Sequence, residues 1–148
     1  MQIAQTTTDP AELRDQVAGA GLRVTRPRLA VMCALANHPH SDADAIFHTV
    51  ARDLPSTSLQ AVYGVLAALT DVGLLRRIQP AGLAALYERR TGDNHHHLVC
   101  GECLAIQDAD CREDATPCHV PDEHDSFIIE VTDVTYWGRC VRCSAARG

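Results

Sequence analysis

The stretch Asp93-Asn-His-His-His-Leu-Val-Cys-Gly-Glu-Cys103 sets three consecutive histidines just ahead of a Cys-x-x-Cys pair. A second Cys-x-x-Cys pair lies near the end of the chain. Two such pairs supply the ligands of a closed, tetrahedral structural zinc site. Two redox dithiols are the alternative, which is disfavoured because neither pair opens a predicted helix, the place where a thiol's pKa is lowered. The predicted zinc ligands are Cys100, Cys103, Cys140 and Cys143.

The histidines form a second and different donor set. Alternate side chains of an extended strand share a face, so His95 and His97 point together while His96 points away. Nitrogen and oxygen donors favour a divalent ion such as Fe(II) or Mn(II) over a thiolate-seeking ion. An ion with ligands from both halves of the chain would fix the angle of a hinge, and a polar surface turn is the alternative. The candidate ligands are His40, Glu88, His95, His97 and Asp108.

The bulk composition bounds the class of protein. The 148 residues carry a net charge of −6 and seven cysteines, and no apolar run approaches the ~20 residues that cross a bilayer. The polar start of the chain lacks the pattern of a signal peptide, so a cytoplasmic protein is expected. Cysteines in a reducing compartment indicate metal or redox chemistry. Residues 1–92 hold nine arginines and eight acidic residues, whereas residues 93–148 hold four and eleven, which suggests divided labour.

The first 90 residues predict four helices followed by a β-hairpin. Helix starts are expected at Asp9, Thr25, Ser41 and Ser58, from their capping and proline patterns. The hairpin is expected over residues 74–78 and 83–88. This order is typical of a winged helix-turn-helix domain, whose last helix enters the major groove of DNA. A small helical domain with a solvated polar face explains the pattern equally well.

Under the winged-helix interpretation, two groups of side chains would contact DNA. Uncharged donors and acceptors at the start of the fourth helix suit base and phosphate contacts, and arginines near the second helix and in the hairpin suit phosphates. Gly64 within the fourth helix marks either a close approach to DNA or mere tolerance. The predicted DNA-contacting residues are Arg23, Thr25, Arg26, Arg28, Ser56, Thr57, Ser58, Gln60, Tyr63, Arg76 and Arg77.

The last part of the chain predicts a small sheet, with strands over residues 97–99, 104–106, 127–131 and 134–137. A domain this small needs an additional source of stability, which zinc binding and dimerisation through a sheet edge would both provide. Cys111 and Cys118 could form a reversible disulfide, add metal ligands or be idle. In the helices, Cys33 is expected to be a buried core thiol, and Ala45, Ile46 and Val50 to face inward.

Several ordered motifs resemble the ferric-uptake-regulator (Fur) superfamily across nearly the whole chain. They are Gly21-Leu-Arg-Val-Thr-Arg-Pro-Arg28, Ala61-Val-Tyr63, His95-His-His-Leu-Val-Cys100-x-x-Cys103 and Tyr136-Trp-Gly-Arg-Cys140-x-x-Cys143. The run Gly92 to His97, the Asp110–Cys118 stretch and Tyr136-Trp-Gly are most similar to the FurA/CatR branch of catalase-peroxidase repressors, related to peroxide-sensing PerR.

The resemblance implies an α+β, homodimeric, metal-dependent repressor of operator DNA. It implies a winged-helix domain (residues 1–90), a dimerisation domain (residues 91–148) with structural zinc, and a regulatory Fe(II) or Mn(II) at the five candidate ligands. The expected function is peroxide-responsive control of oxidative-stress genes; the alternative is an iron, zinc or nickel uptake regulator that senses metal level. Whether a further metal site uses His96, His119 or His124 stays open.

Two other classes of function fit less well. A hydrolytic metalloenzyme needs an open coordination position and a general base, and the sequence has no His-Glu-x-x-His motif. A zinc-ribbon interaction module leaves residues 1–90 unexplained. We therefore expect a protein that is not an enzyme.

Overall fold

Four helices build the first part of the chain. The predicted caps Asp9 and Ser58 are confirmed, but the third helix is capped by Asp42 rather than Ser41, and Thr25 precedes the second helix without a side-chain cap. A computed structural model describes residues 8–93, 95–111, 121–122 and 126–146. The side chains of Asp9, Asp42 and Ser58 accept hydrogen bonds from backbone N–H groups two or three residues ahead, which satisfies donors that the first helical turn leaves open. The helices are α1 Pro10–Gly19, α2 Arg26–Asn37, α3 Ala43–Asp53 and α4 Leu59–Asp71.

A small antiparallel sheet completes this part. Strands β1 Ser41–Asp42, β2 Arg76–Ile78 and β3 Leu86–Glu88 lie in the order β1-β3-β2. Strands β2 and β3 are the two arms of the predicted hairpin, and Gly82 in the loop between them has a φ of +79°. Strand β1 was not predicted, because two residues carry no alternation pattern; it is defined by pairing with β3.

The apolar core lies between the helices. Val17, Leu35, Leu66 and Leu69 are completely buried, each on the inward face of its helix. In α3 the predicted inward positions Ile46 and Val50 are confirmed, but Ala45 is exposed. The helix starts at Ala43, and its inward face is therefore the set 43, 46 and 50. The predicted core thiol, Cys33, is only half-buried and packs at the edge of this core.

The second sheet lies wholly after residue 94. Strand β4 His95–Cys100 pairs antiparallel with β5 Ile106–Asp110 and parallel with β6 Thr135–Gly138. Strand β5 starts two residues later than predicted, because Leu104, next to Cys103, has a left-handed backbone with φ of 59° and belongs to the turn. A short helix, α5 Val141–Ala145, ends the described chain.

The predicted strand over residues 127–131 is wrong. The segment belongs to no strand, and Phe127, Ile128 and Val131 are between 73% and 92% exposed. No strand in the described part of the chain pairs with it. An apolar, β-branched run therefore has strand propensity here without a partner for its backbone hydrogen bonds.

The chain divides into two compact units, residues 1–91 and 92–148, called here the N-terminal unit and the C-terminal unit. The first contains helices α1–α4 and the β1-β3-β2 sheet, and the second contains the β5-β4-β6 sheet and α5. Helices followed by small sheets confirm the α+β class. No helix among the described residues is long and apolar enough to cross a membrane.

Candidate metal centres and nucleic-acid surface

The four cysteines of the two Cys-x-x-Cys pairs come together in the C-terminal unit. Their sulfur atoms all lie within 4.8 Å of one another. The Sγ atoms of Cys103 and Cys140 are 3.7 Å apart. Zinc–sulfur bonds of about 2.3 Å in a tetrahedron place sulfurs roughly 3.8 Å apart, so the spacing fits a Zn²⁺ bound by four thiolates.

Strand pairing brings the two halves of this cluster together across some 40 residues. Cys100 ends β4 and lies opposite Gly138 of the parallel strand β6. The turn after β4 is closed by the Leu104 N–H, which donates to the carbonyl of Cys100 at 2.9 Å. Cys140 follows β6 by two residues, and its N–H donates to the sulfur of Cys100 at 3.4 Å.

The expectation that neither Cys-x-x-Cys pair opens a helix was wrong for the second pair. Cys140 is the N-cap of α5, so the second Cys-x-x-Cys pair does open a helix. That helix has only five residues, so it offers little of the dipole that lowers a thiol's pKa. The interpretation as a zinc site now depends on the convergence of all four sulfurs.

Backbone hydrogen bonds to the sulfurs of this cluster favour the thiolate form, which is the form that binds a cation. The amides of Cys103, Cys140 and Glu102 donate to the Cys100 sulfur and lower its pKa to about 6. The pKa of Cys140 is also lowered, chiefly by the amide of Cys143. Hydrogen bonding of the Cys143 thiol to the sulfurs of Cys140 and Cys103 raises the pKa of Cys143 to about 12. Neighbouring sulfurs thus resist simultaneous ionisation until a cation joins them.

Two histidines and an aspartate of the second donor set also lie in the C-terminal unit. The β4–β5 register sets His97 opposite Asp108, with Nε2 and Oδ1 3.8 Å apart. The rings of His95 and His97 pack edge to face with centroids 4.9 Å apart, and both side chains are buried. His96 lies against Tyr136 instead, at 6.0 Å between centroids. The alternation along β4 predicted this division of the histidines.

Two acidic residues beside His95 were not predicted from the sequence as parts of the site. Oδ1 of Asp93 lies 2.6 Å from Nδ1 of His95. Asp110 stands opposite His95 in the β4–β5 ladder. The two-residue spacing of Asp93 and His95 was a usable signal, whereas the position of Asp110 follows only from the strand register.

The remaining predicted ligands, His40 and Glu88, meet in the N-terminal unit. Glu88 is completely buried at the end of β3, and its Oε2 lies 3.0 Å from Nε2 of His40. The β1–β3 pairing, Ser41 opposite Tyr87, makes this contact. His40 has a φ of 58°, a conformation that costs a non-glycine residue about 1–3 kcal/mol and that clusters at functional sites.

Arg76 was predicted from its place in the hairpin to contact a DNA phosphate, but in the structure it faces a carboxylate. It stands opposite Glu88 in the β2–β3 ladder, with Nε 3.8 Å from Oε1 of the same carboxylate, and its side chain is mostly buried. Arg77 is exposed and donates to Gln79 at 2.8 Å. Of the two hairpin arginines, Arg77 therefore has the better geometry for an external phosphate.

The start of α4 presents a polar surface. Ser56, Ser58, Gln60 and Tyr63 are exposed, while Thr57 is half-buried. The Ser58 oxygen accepts a hydrogen bond from the Ala61 N–H, so this residue caps the helix. The predicted residues near α2 divide by exposure: Arg23 and Arg26 are exposed, and Thr25 and Arg28 are half-buried. Arg28 donates to the carbonyl of Arg23.

Of the residues predicted to have a redox role or to form a further metal site, some lie outside the described residues. Cys111 is half-buried immediately after β5. Its proposed redox partner Cys118 lies outside the described residues, as do His119 and His124, two candidates for a further metal site.

Comparison with known proteins agrees with this architecture. The ferric uptake regulator family matches residues 19–116. The transcriptional regulator FurA of Mycobacterium tuberculosis is 51% identical over 130 residues, 88% of each chain. Ferric uptake regulation protein 1 of Mycolicibacterium fortuitum is 46% identical over 129 residues, 87% of this chain and 80% of the relative.

More distant relatives include a peroxide-responsive repressor, PerR, of Staphylococcus saprophyticus, 28% identical over 153 residues, 95% of this chain and 97% of the relative. The solved ferric uptake regulator of Vibrio cholerae superposes with a TM-score of 0.63 at 26% identity over 85% of this chain and 98% of that one. The match of the family over most of the chain and the identity to FurA together settle the assignment. This chain belongs to the ferric uptake regulator family and is a metal-binding transcriptional regulator, not an enzyme.

Proposed function

We propose that this protein is a repressor that binds operator DNA as a homodimer when a divalent metal ion occupies its histidine and carboxylate ligands. The observation that carries the proposal is the presence of two chemically distinct donor sets. Four sulfurs cluster at one end of β4, and buried histidines with an opposed aspartate occupy the other end. A structural zinc needs only the first set, so the second is available for a regulatory ion.

The proposed ligand roles follow from donor chemistry. Cys100, Cys103, Cys140 and Cys143 hold structural Zn²⁺. The nitrogen and oxygen donors hold Fe(II) or Mn(II), ions that accept imidazole and carboxylate together. Within the C-terminal unit these are His95, His97 and Asp108; within the N-terminal unit they are His40 and Glu88.

DNA would be read by the start of α4. Exposed Gln60 and Tyr63 lie on the outward side of a helix whose other side carries the buried Val62 and Leu66. This arrangement suits a recognition helix whose N-terminal turn enters the major groove. The solved relative from V. cholerae has DNA-binding domains. Arg23, Arg26 and Arg77 supply exposed positive charge for phosphates.

The exposed apolar residues of the C-terminal unit support dimerisation. Phe127, Ile128 and Val131 are mostly exposed within five residues of chain, and exposed apolar residues grouped in this way are typical of interaction sites. A second copy of the chain is the proposed occupant. Ile128→Glu should then shift the protein from dimer to monomer in analytical ultracentrifugation, whereas Val141→Glu, with a side chain equally exposed, serves as the control.

Metal level is the signal that we propose first. Relatives named for ferric uptake regulation match at 46% identity, whereas the peroxide-responsive relative matches at 28%. Peroxide sensing is the second candidate: bound Fe(II) would direct oxidation to buried ligand histidines, and Cys111 offers a nearby thiol. This second candidate was the first expectation from sequence, and the comparisons favour the other.

One experiment separates the two signals. A DNA site is first selected from a random pool in the presence of Mn(II), and its affinity is then measured by fluorescence anisotropy with Fe(II), Mn(II), Zn(II) and Ni(II), under anaerobic conditions. Release by chelation, and no release when peroxide is added to the Fe(II) form, supports sensing of metal level. Release of the Fe(II) form but not the Mn(II) form by peroxide supports peroxide sensing. Metal-independent DNA binding would overturn both.

A further inference from the structure

A carboxylate outside the predicted ligand set contacts one of the buried histidines. Asp93 precedes β4 by two residues, and its Oδ1 lies 2.6 Å from Nδ1 of His95. The His95 side chain is completely buried, whereas that of Asp93 is 41% exposed. A short contact between a buried imidazole and a partly solvated carboxylate is a charge-assisted hydrogen bond rather than an incidental surface pair.

This contact bears on which nitrogen of His95 is available to bind a metal. A neutral imidazole carries its proton on one nitrogen and a lone pair on the other. A carboxylate facing Nδ1 accepts a hydrogen bond from it, so the proton stays on Nδ1 and the lone pair on Nε2. Metal-binding histidines are commonly oriented in this way by a carboxylate on the opposite ring nitrogen.

A second contact fixes the plane of the same ring. His95 packs edge to face on His97, with ring centroids 4.9 Å apart and planes 77° apart. The hydrogen bond at Nδ1 and the packing against His97 both restrain the χ angles of this buried side chain. The ring is thus pre-oriented before any ion binds, which lowers the entropic cost of binding.

Asp108 stands in a different relation to its histidine. Its Oδ1 lies 3.8 Å from Nε2 of His97, the separation of two donors that converge on one ion rather than of a hydrogen-bonded pair. The two aspartates therefore have different roles: Asp108 is a candidate ligand, and Asp93 contacts a ligand.

We propose that Asp93 is a positioning residue for the regulatory metal, which holds His95 in the Nδ1–H tautomer so that Nε2 is the ligand atom. The inference rests on the proposed function, because it takes His95 as a ligand. It adds a residue that the ligand pattern of the sequence did not include.

The test uses the zinc-loaded full-length protein and two readouts. Long-range ¹H–¹⁵N correlation spectra before Mn(II) is added report the tautomer of His95, and electron paramagnetic resonance measures the affinity for Mn(II). The variants are Asp93→Ala, Asp93→Asn and His95→Ala, and Asp122→Ala is the control, since it removes the same charge from an exposed position.

The expected result has three parts. The wild-type His95 is the Nδ1–H tautomer, and Asp93→Ala loses it and binds Mn(II) about 10–100-fold more weakly. Asp93→Asn recovers part of both effects, because its amide oxygen still accepts a hydrogen bond from Nδ1. Asp122→Ala behaves as wild type. A purely structural role for Asp93 would not move the tautomer signal together with the affinity.

Two results would overturn the proposal while leaving the proposed function intact: a wild-type His95 in the Nε2–H tautomer, or an Asp93→Ala affinity equal to that of Asp122→Ala while His95→Ala still binds weakly. An unchanged Mn(II) affinity in His95→Ala would instead remove His95 from the ligand set, and with it that part of the proposed function.

Discussion

The two units of this chain are stabilised in different ways. The N-terminal unit has a core of fourteen buried apolar residues contributed by four helices, the segment that follows them and one strand. Among the described residues of the C-terminal unit, the buried apolar side chains are Val99 and Cys100, and the other buried side chains are His95, His96 and His97. Phe127, Ile128 and Trp137 lie exposed.

This difference suggests how a small sheet with few buried apolar side chains can be stabilised: metal ligands take the place of a hydrophobic core. Burial of apolar side chains is the main term that opposes the entropy of folding, and the N-terminal unit has fourteen of them in its core. The described residues of the C-terminal unit include only two buried apolar side chains, and four sulfurs cluster among them. The following predictions test this contrast in order of decreasing effect.

Removal of zinc should unfold the C-terminal unit and spare the N-terminal unit. Structural zinc contributes about 10–16 kcal/mol in zinc-finger peptides at neutral pH, more than a sheet with so few buried apolar side chains can replace. Hydrogen exchange read by mass spectrometry should show loss of protection in β4–β6 after chelation or in Cys103→Ser, with α2–α4 still protected. Cys33→Ala, outside the cluster, is the control. Continued protection of β4 without metal would contradict the contrast.

Leu66→Ala should destabilise the N-terminal unit by about 2–5 kcal/mol, because Leu66 is completely buried and its truncation leaves a cavity. Chemical denaturation followed by circular dichroism measures the change, since the four long helices α1–α4 lie in this unit. Zinc content should stay at the wild-type value. The matched control is Val141→Ala, which is 87% exposed in the C-terminal unit and should change stability by less than about 0.5 kcal/mol. Loss of zinc from Leu66→Ala would refute the independence of the two units.

His97→Ala and His96→Ala test whether the buried histidines serve as ligands or only as core. The two side chains are adjacent and equally buried but lie on opposite faces of β4. His97→Ala should abolish the metal-dependent gain in operator affinity, a coupling of about 1–3 kcal/mol, and His96→Ala should keep it. Anisotropy with and without Mn(II) measures this gain. Equal behaviour of the two variants would indicate a structural role for both.

Arg77→Ala should weaken DNA binding at all sequences and reduce the slope of log affinity against log salt by about 1, because it removes one exposed phosphate contact. Arg76→Ala should leave that slope unchanged, since its guanidinium faces the buried carboxylate of Glu88. The salt dependence of operator binding distinguishes them. A reduced slope in Arg76→Ala would mean that Arg76 leaves Glu88 for DNA.

Gly64→Ala should have the smallest effect, a stabilisation of about 0.5–1 kcal/mol. Gly64 lies within α4, is exposed, and a Cβ there meets no atom within 4 Å. Thermal unfolding measures the gain. Unchanged operator affinity would identify this glycine as tolerated, and a lost affinity would identify a close approach of the helix to DNA.

Local signals in the sequence were sufficient for much of this molecule. The caps at Asp9 and Ser58 located two helix starts because capping acts within one turn. The third start was predicted one residue early, at Ser41 instead of Asp42. The alternation along β4 assigned His95 and His97 to one face, because strand geometry repeats every two residues. The two Cys-x-x-Cys pairs indicated four sulfur ligands by spacing alone.

Contacts between distant segments were decided by the tertiary structure. Residues 127–131 have the composition of a strand, but pairing needs a neighbour that the local pattern does not reveal. Arg76 looks like a surface cation in sequence, yet the β2–β3 register turns it to Glu88. The four sulfurs converge only because β4 and β6 run parallel across some 35 residues of intervening chain. The sequence by itself determined the family, the helices and the types of ligand, because these depend on the spacing of nearby residues. The tertiary structure decided which ligand lies beside which partner, because that depends on strand register, and only the folded chain defines the register.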